Sequence, residues 1–127
     1  MDADSKRALI LRYLDAYNRF DVEAMMATVH DDVVFQNITA GEVTAQADGA
    51  ASLRQMAEQA KTIFAARRQT LLAFSETSKE AAIQVAFEGV LACDLPNGMK
   101  AGQELRLEGR SEFTFEDGRL IRIVDIS

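Results

Sequence analysis

An α+β chain is what this sequence predicts: three helices leading into a curved, mainly antiparallel sheet that together form a cone-shaped α+β barrel. Three observations predict it. Apolar residues recur at helical spacing through the first half, β-rich runs separated by turn residues fill the second half, and one of those runs alternates strictly between apolar and charged positions. Helices that precede a sheet with one apolar face must cover that face. If the sheet curls, the covered side becomes a conical cavity.

Asp4 is placed to cap the first helix, whose apolar stripe runs through Leu9 or Ile10, Tyr13 or Leu14, Tyr17 and Phe20. Asp21 caps a short second helix, VEAMMATVH, which turns Met25, Met26 and Val29 toward the core, and DDVVFQN reads as the first strand. Asp48 and Gly49 open a third helix carrying Leu53, Met56, Ala60, Ile63 and Phe64 and running to about Ala66. The period then changes. RQTLLAFSE, AAIQVAFEGVLAC, QELRLEGRSEFTF and RLIRIVDIS read as strands of an antiparallel meander, separated by Thr77-Ser78-Lys79, Leu95-Pro96-Asn97-Gly98 and Glu116-Asp117-Gly118. In the third run Leu105, Leu107, Gly109, Ser111, Phe113 and Phe115 share one face, opposite Glu104, Arg106, Glu108, Arg110, Glu112 and Thr114.

The bulk properties narrow the function. A chain of 127 residues, 48% hydrophobic and 27% charged, fits one folded domain spanning residues 1–127. Its net charge of -6 repels phosphate backbones and anionic lipid, so neither nucleic acid nor membrane is an expected partner. The single Cys93 has no disulfide partner, no Cys/His cluster has metal spacing, and no glycine loop is shaped for phosphate, so no cofactor is expected. MDADSKRALILRYLDAYNRF lacks the continuous apolar stretch of a signal peptide, and a cytoplasmic location is expected.

The stretches RYLDAYNRFDVEAMMATVHDDVVFQN, the helix after ADG, and the ending FEDGRLIRIVDIS, in that order and spacing, resemble the nuclear transport factor 2 superfamily, particularly its SnoaL-like and ketosteroid-isomerase-like members. The resemblance covers roughly Lys6 to Ser127. It implies a cone that takes a small, mainly apolar molecule and a homodimer formed through the outer sheet face. Ketosteroid isomerases would place their oxyanion-binding tyrosine at Tyr13, their proton-transfer aspartate at Asn37 and their second oxyanion acid at Ser111. An amide cannot take a proton from carbon, so steroid isomerisation is disfavoured. Limonene-epoxide hydrolases are similar in another way. Their Tyr-Gln-Asn corresponds to Phe35-Gln36-Asn37, and an aspartate seven residues after their last hairpin glycine corresponds to Asp125. Their Arg-x-Asp is missing, with Glu88 and Val90 nearest to it.

The residues themselves supply a candidate list. Asn37 shares a face with Val33 and Phe35, where it either orients water or a substrate oxygen or closes the strand onto the next turn. Asp125 alternates with Ile121 and Ile123, a setting in which burial raises a carboxyl's pKa and suits it to acid–base work. Tyr13 and Tyr17 project from one helical face toward a ligand or the core. Ser111 and Phe113 join Tyr17 and Phe35 as candidate ligand contacts. His30 is expected as a charge at the end of the second helix, and Glu88, out of phase with Ile83, Val85 and Phe87, as an outward partner of Arg106 and Arg110. The expectation is a cofactor-free protein acting by acid–base chemistry, as isomerase, hydrolase or cyclase, on a small apolar oxygen-bearing molecule. The alternative is a non-catalytic module for ligand binding or dimerisation.

Overall fold

Asp2 begins the first helix. Its side chain accepts a hydrogen bond from the Ser5 amide at 2.7 Å, so Asp4 falls within the first turn instead of capping it. The computed structural model describes every residue from Met1 to Ser127. Helix α1 spans Ala3–Asn18 and buries Leu9, Ile10, Tyr13 and Leu14. Asp21 caps α2, as expected, by accepting from the Ala24 amide at 3.0 Å, but α2 covers only Val22–Met26. The helix stops early because β-branched Thr28 and Val29 favour extended backbone, and the Thr28 carbonyl is taken by the Leu120 amide at 2.9 Å.

Strand β1 therefore runs Val29–Thr39, beginning before the predicted DDVVFQN and taking in His30, which is a strand residue and not a helix end. The Ala40-Gly41 turn, with φ of 52° and 82°, folds β1 back into β2, Glu42–Asp48. The sequence reading passed over β2, an edge strand that buries only Ala47 and so shows little apolar alternation. Gly49, without a side-chain cap, opens α3 at Ala50. The helix ends at Ala60, short of the predicted Ala66. Phe64 leaves the helical pattern because it starts β3, where its ring meets Phe87 edge-on at 5.5 Å. Strands β3 (Phe64–Glu76), β4 (Glu80–Leu91), β5 (Glu104–Glu116) and β6 (Arg119–Ile126) complete the chain.

The six strands lie in the order β2-β1-β6-β5-β4-β3. Every neighbouring pair is antiparallel except β1 and β6, which run parallel. The result is α+β: helices cover one face of a curved mixed sheet, with α1 on β3, α3 on β1 and β2, and α2 between the other helices. Val33, Ile83, Phe113 and Ile123 face inward and close the core with Ile10 and Leu14. A register shift between Thr114 and Phe115 carries Leu120 inward in place of Ile121, so alternation along β6 holds only from Ile123 onward. No helix is long and apolar enough to cross a membrane.

Both ends of α1 are fastened to the far side of the sheet. Lys6 is only 2% exposed, and its ammonium meets the Glu76 carboxylate at 2.6 Å and the Thr77 carbonyl. At the other end the Asn18 amide donates to the Gln69 carbonyl at 3.1 Å and accepts from the Gln69 amide at 2.7 Å, while Arg67 Nε donates to the Tyr17 carbonyl at 2.9 Å. The Arg67 bond is a second one to the Tyr17 carbonyl, which also accepts from the Phe20 amide at 3.1 Å, and the Asn18 bonds pair the N–H and carbonyl of Gln69 on the outer edge of β3.

Gly109 governs the end of β6. A β-carbon there would sit 2.7 Å from the Ile126 carbonyl oxygen, so the closing strand lies against bare backbone. Ser127 is held in turn by its amide donating to the Ile38 carbonyl at 2.9 Å. Gly109→Ala is expected to cost about 1–3 kcal/mol of stability, the range for overpacking, and to speed amide exchange at Ser127. Thermal unfolding and hydrogen exchange would measure both; an unchanged melting temperature would contradict the close approach.

Candidate active site

Register places three polar side chains in one row across three strands. Asn37 on β1 is the partner of Asp125 on β6, and Asp125 is the partner of Ser111 on β5. Each points to the covered face of a pleated sheet, where neighbours in a row lie about 5 Å apart. The Ser111 hydroxyl donates to Asp125 Oδ1 at 2.7 Å. Burial pushes the Asp125 carboxyl up from 3.8 to about 6, against the opposing pull of that hydrogen bond.

The Asn37 amide is oriented by its neighbours. Thr44 uses its hydroxyl proton on the Asn37 carbonyl at 3.2 Å, so its oxygen accepts from Asn37 Nδ2 at 2.8 Å; Nδ2 also reaches the Thr39 hydroxyl at 3.3 Å. The amide oxygen is thereby left as an acceptor beside a second acceptor, Asp125. Two such acceptors side by side are able to take both protons of one water.

These groups border a recess of about 190 Å³. Tyr17, Val85, Phe87, Leu107 and Ile126 supply its apolar walls, and Asn37, Gln69, Ser111 and Asp125 its polar ones, with Arg110 and Ser127 also on its border. A larger groove of about 290 Å³ lies elsewhere, bordered by charged side chains that include Glu76, Glu80, Glu112 and Arg122. It lacks Asp125, Asn37 and both tyrosines.

The recess gathers Asn37, Asp125, Ser111 and Tyr17 from the sequence candidates, but not Tyr13, Phe35 or Phe113. Tyr13 is buried, and Phe113 stands against it edge-on at 6.2 Å, filling the space in front of the ring. Burial raises the Tyr13 hydroxyl well above 10.0, and the charge of Asp125 adds to that. Phe35 packs against the core beside Ile123, its register partner. One turn further along α1, Tyr17 takes the position on the wall. Its hydroxyl is also raised by burial, opposed by the charge of Arg67 and a hydrogen bond from Gln69.

Gln69 and Arg67 were not singled out from the sequence. Their strand was read as starting at Arg68, and the inward phase of Arg67, Gln69 and Leu71 is masked by the polar residues between them. Arg67 is only 6% exposed, with its guanidinium 3.7 Å over the Tyr17 ring and 4.3 Å over the Phe20 ring. Glu88 is exposed and opposite Arg106, as expected, whereas Arg110 pairs with Glu112 at 3.2 Å on its own strand.

His30, Glu116 and Asp117 bring potential metal-ligand atoms within 4.8 Å of one another. However, His30 Nδ1 accepts from the Asp32 amide at 3.0 Å, so the ring proton sits on Nε2, which faces Asp117 Oδ2 at 3.4 Å. Neither nitrogen is left with a free lone pair.

A polar row on the inner face of a helix-covered, curved mixed sheet, opening into a small recess, defines a protein of the nuclear transport factor 2-like class. The model of the SnoaL-like domain matches residues 10–123, and the chain belongs to that family. Solved structures share the fold. TsrD from Streptomyces laurentii superposes with a TM-score of 0.82 at 19% identity, covering 98% of this chain and 89% of its own. A candidate polyketide cyclase from Xanthomonas campestris pv. campestris gives 0.80 at 21% identity, with 98% and 90% covered. A protein with a ketosteroid isomerase-like fold from Catenulispora acidiphila, in complex with trimethylamine, gives 0.77 at 9% identity, with 92% and 82% covered. None of the curated protein sequences matches significantly.

The position of Asp125 fixes a pH dependence. Between 3.8 and about 6 the folded carboxyl keeps a proton that the unfolded chain has lost, so stability falls as pH rises through that window. Asp125→Asn is expected to stabilise the protein by about 1–3 kcal/mol at pH 7 and to leave it unchanged near pH 3.5. Denaturant unfolding at the two pH values checks this, and an equal effect at both would mean that Asp125 is not desolvated.

Proposed function

We propose that the protein is a small enzyme that works without a cofactor on an oxygen-bearing molecule, with Asp125 as general base and acid. The observation that carries this reading is a carboxyl held near 6 at the border of a small recess, beside a side-chain amide with a free oxygen. At neutral pH Asp125 is mainly ionised and accepts a proton from water or from a substrate carbon. Ser111 holds the carboxylate in place, and Asn37 holds the attacking water or a substrate hydroxyl. Tyr17 donates to the substrate oxygen on which charge develops, taking the part the sequence suggested for Tyr13. The apolar walls suit a ring or short chain. The structural neighbours that are candidate polyketide cyclases, together with a candidate hydroxylase from Streptomyces galilaeus, favour an oxygenated substrate of that kind. Water addition, cyclisation and proton shift share this machinery.

A second reading is a ligand-binding module without turnover. It is favoured by Asn37, whose amide nitrogen is already spent on Thr44 and Thr39, as it would be in a residue that only ties β1 to β2. In either reading the chain pairs as a dimer through the outer sheet face, and sedimentation at micromolar concentration is expected to give the dimer.

The deciding experiment follows the Asp125 carboxyl carbon by NMR through a pH titration, and turnover of a panel of small enolisable ketones and epoxides by the same protein. The enzyme reading expects a midpoint near 6 and a rate that rises through the same pH, at least a hundredfold lower in Asp125→Asn. A midpoint near 4, or saturable binding without turnover that Asp125→Asn leaves intact, would establish the binding module instead.

A further inference from the structure

No ion pair in the fold includes Arg67, and its Nη2 is buried without a hydrogen-bond partner. Nε donates to the Tyr17 carbonyl, a bond that a neutral side chain could make as well. What that bond leaves unexplained is the charge, since burying an unpaired guanidinium is costly. The charge lies against the Tyr17 ring, with the guanidinium carbon 3.7 Å from the ring centroid, and the Phe20 ring stands at 4.3 Å. A tyrosine hydroxyl projects from the edge of its ring, so that of Tyr17 falls within about 4–6 Å of the guanidinium, the range over which an opposite charge favours the ionised form.

Tyr17 lines the recess, and its hydroxyl takes a hydrogen bond from the side chain of Gln69, which lines it as well. A phenol oxygen that accepts from an amide still has its own proton to give. Burial raises the Tyr17 hydroxyl, and the charge of Arg67 is the strongest influence opposing that rise, ahead of the Gln69 bond. Asp125 on β6 adds to the rise more weakly, while Phe87 on β4 meets the ring edge-on at 6.5 Å and brings no charge. On Tyr13, where burial again comes first, the charge of Arg67 is the weakest of the influences at work.

We propose that Arg67 is a positioning residue that acts through Tyr17: its charge, buried over the ring and shared with no carboxylate, draws electron density from the hydroxyl and makes Tyr17 a stronger hydrogen-bond donor to a ligand oxygen that takes on negative charge. This rests on the reading of Tyr17 as the donor in the proposed reaction and adds the group that tunes it. Arg67 does not line the recess and touches no ligand. A donor strengthened in this way holds an enolate or alkoxide oxygen far better than the neutral oxygen from which it forms. The gain therefore falls on the reacting state and not on binding.

The chain has two tyrosines, so full-length protein made with a difluorinated tyrosine, whose hydroxyl ionises near neutral pH when free, gives one fluorine titration for Tyr13 and one for Tyr17, assigned with Tyr17→Phe. Arg67→Gln is expected to raise the Tyr17 midpoint by about one to three pH units and to move Tyr13 less. In the wild-type chain the guanidinium nitrogen signals of Arg67 are expected to follow the Tyr17 titration, since coupling between two sites is reciprocal. On an enolisable ketone that the unlabelled protein turns over, Arg67→Gln is expected to lower kcat by about tenfold or more with KM little changed. An unmoved Tyr17 midpoint, an equal shift at both tyrosines, or an unchanged kcat would overturn the proposal. The Arg67 signals decide the matter in the wild-type chain even if Arg67→Gln folds poorly, because their failure to respond as Tyr17 ionises overturns it too. A protein that turns nothing over, with the Tyr17 shift and its coupling to Arg67 intact, would strike the acid–base reading while leaving the tuned donor in place.

Discussion

The parallel pairing of β1 with β6 is the contact on which the site depends. It joins the first strand of the chain to the last, a closure between residues far apart in sequence that carries a large loop-closure entropy cost. It sets Asn37 beside Asp125, and the antiparallel pairing of β6 with β5 adds Ser111 to the same row. A one-residue slip in the register of β6 would turn Asp125 to the outer face and put Val124 or Ile126 in its place. The burial of Ile123 opposes such a slip, as does the pinning of Ser127 to Ile38. The row is thus held by contacts two residues to either side of Asp125.

Three buried ionisable side chains in this fold illustrate three ways of meeting the cost of desolvation. Lys6 finds a carboxylate and a carbonyl and becomes a fastening. Asp125 receives one hydroxyl, too little to hold its proton affinity at the ordinary level. Arg67 keeps its charge against two aromatic faces. Only the first is complete within the chain; Asp125 borders the recess, whereas Arg67 is buried against Tyr17 and does not line it.

Much of the fold could be read from the sequence because its signals are local and periodic. The alternation from Leu105 to Phe115 and the Asp117-Gly118 turn are of that kind, and so is the Asp21 cap. What escaped was set by tertiary contact. Strand β2 exists because β1 offers it an edge, and α3 ends at Ala60 because Phe64 finds Phe87 on the neighbouring strand. Four of the candidate residues, Asn37, Ser111, Asp125 and Tyr17, line one recess. Tyr13 and Tyr17 are indistinguishable by helical phase, and only the position of Phe113 separates the one in the core from the one on the wall. Arg67 and Gln69 lie in a polar stretch whose inward phase appears only when β4 is laid beside it.

The two fastenings of α1 bear on how the recess accepts a guest. Lys6 grips the β3–β4 turn, and Asn18 with Tyr17 grips β3, so the helix that carries the aromatic wall is bolted to the sheet at both ends. A wall held in this way does not swing to follow a larger molecule. The cavity behaves as a fixed mould, its backbone outline set at folding, and discrimination between guests rests on a few side-chain rotations and on whether each fits the space already there.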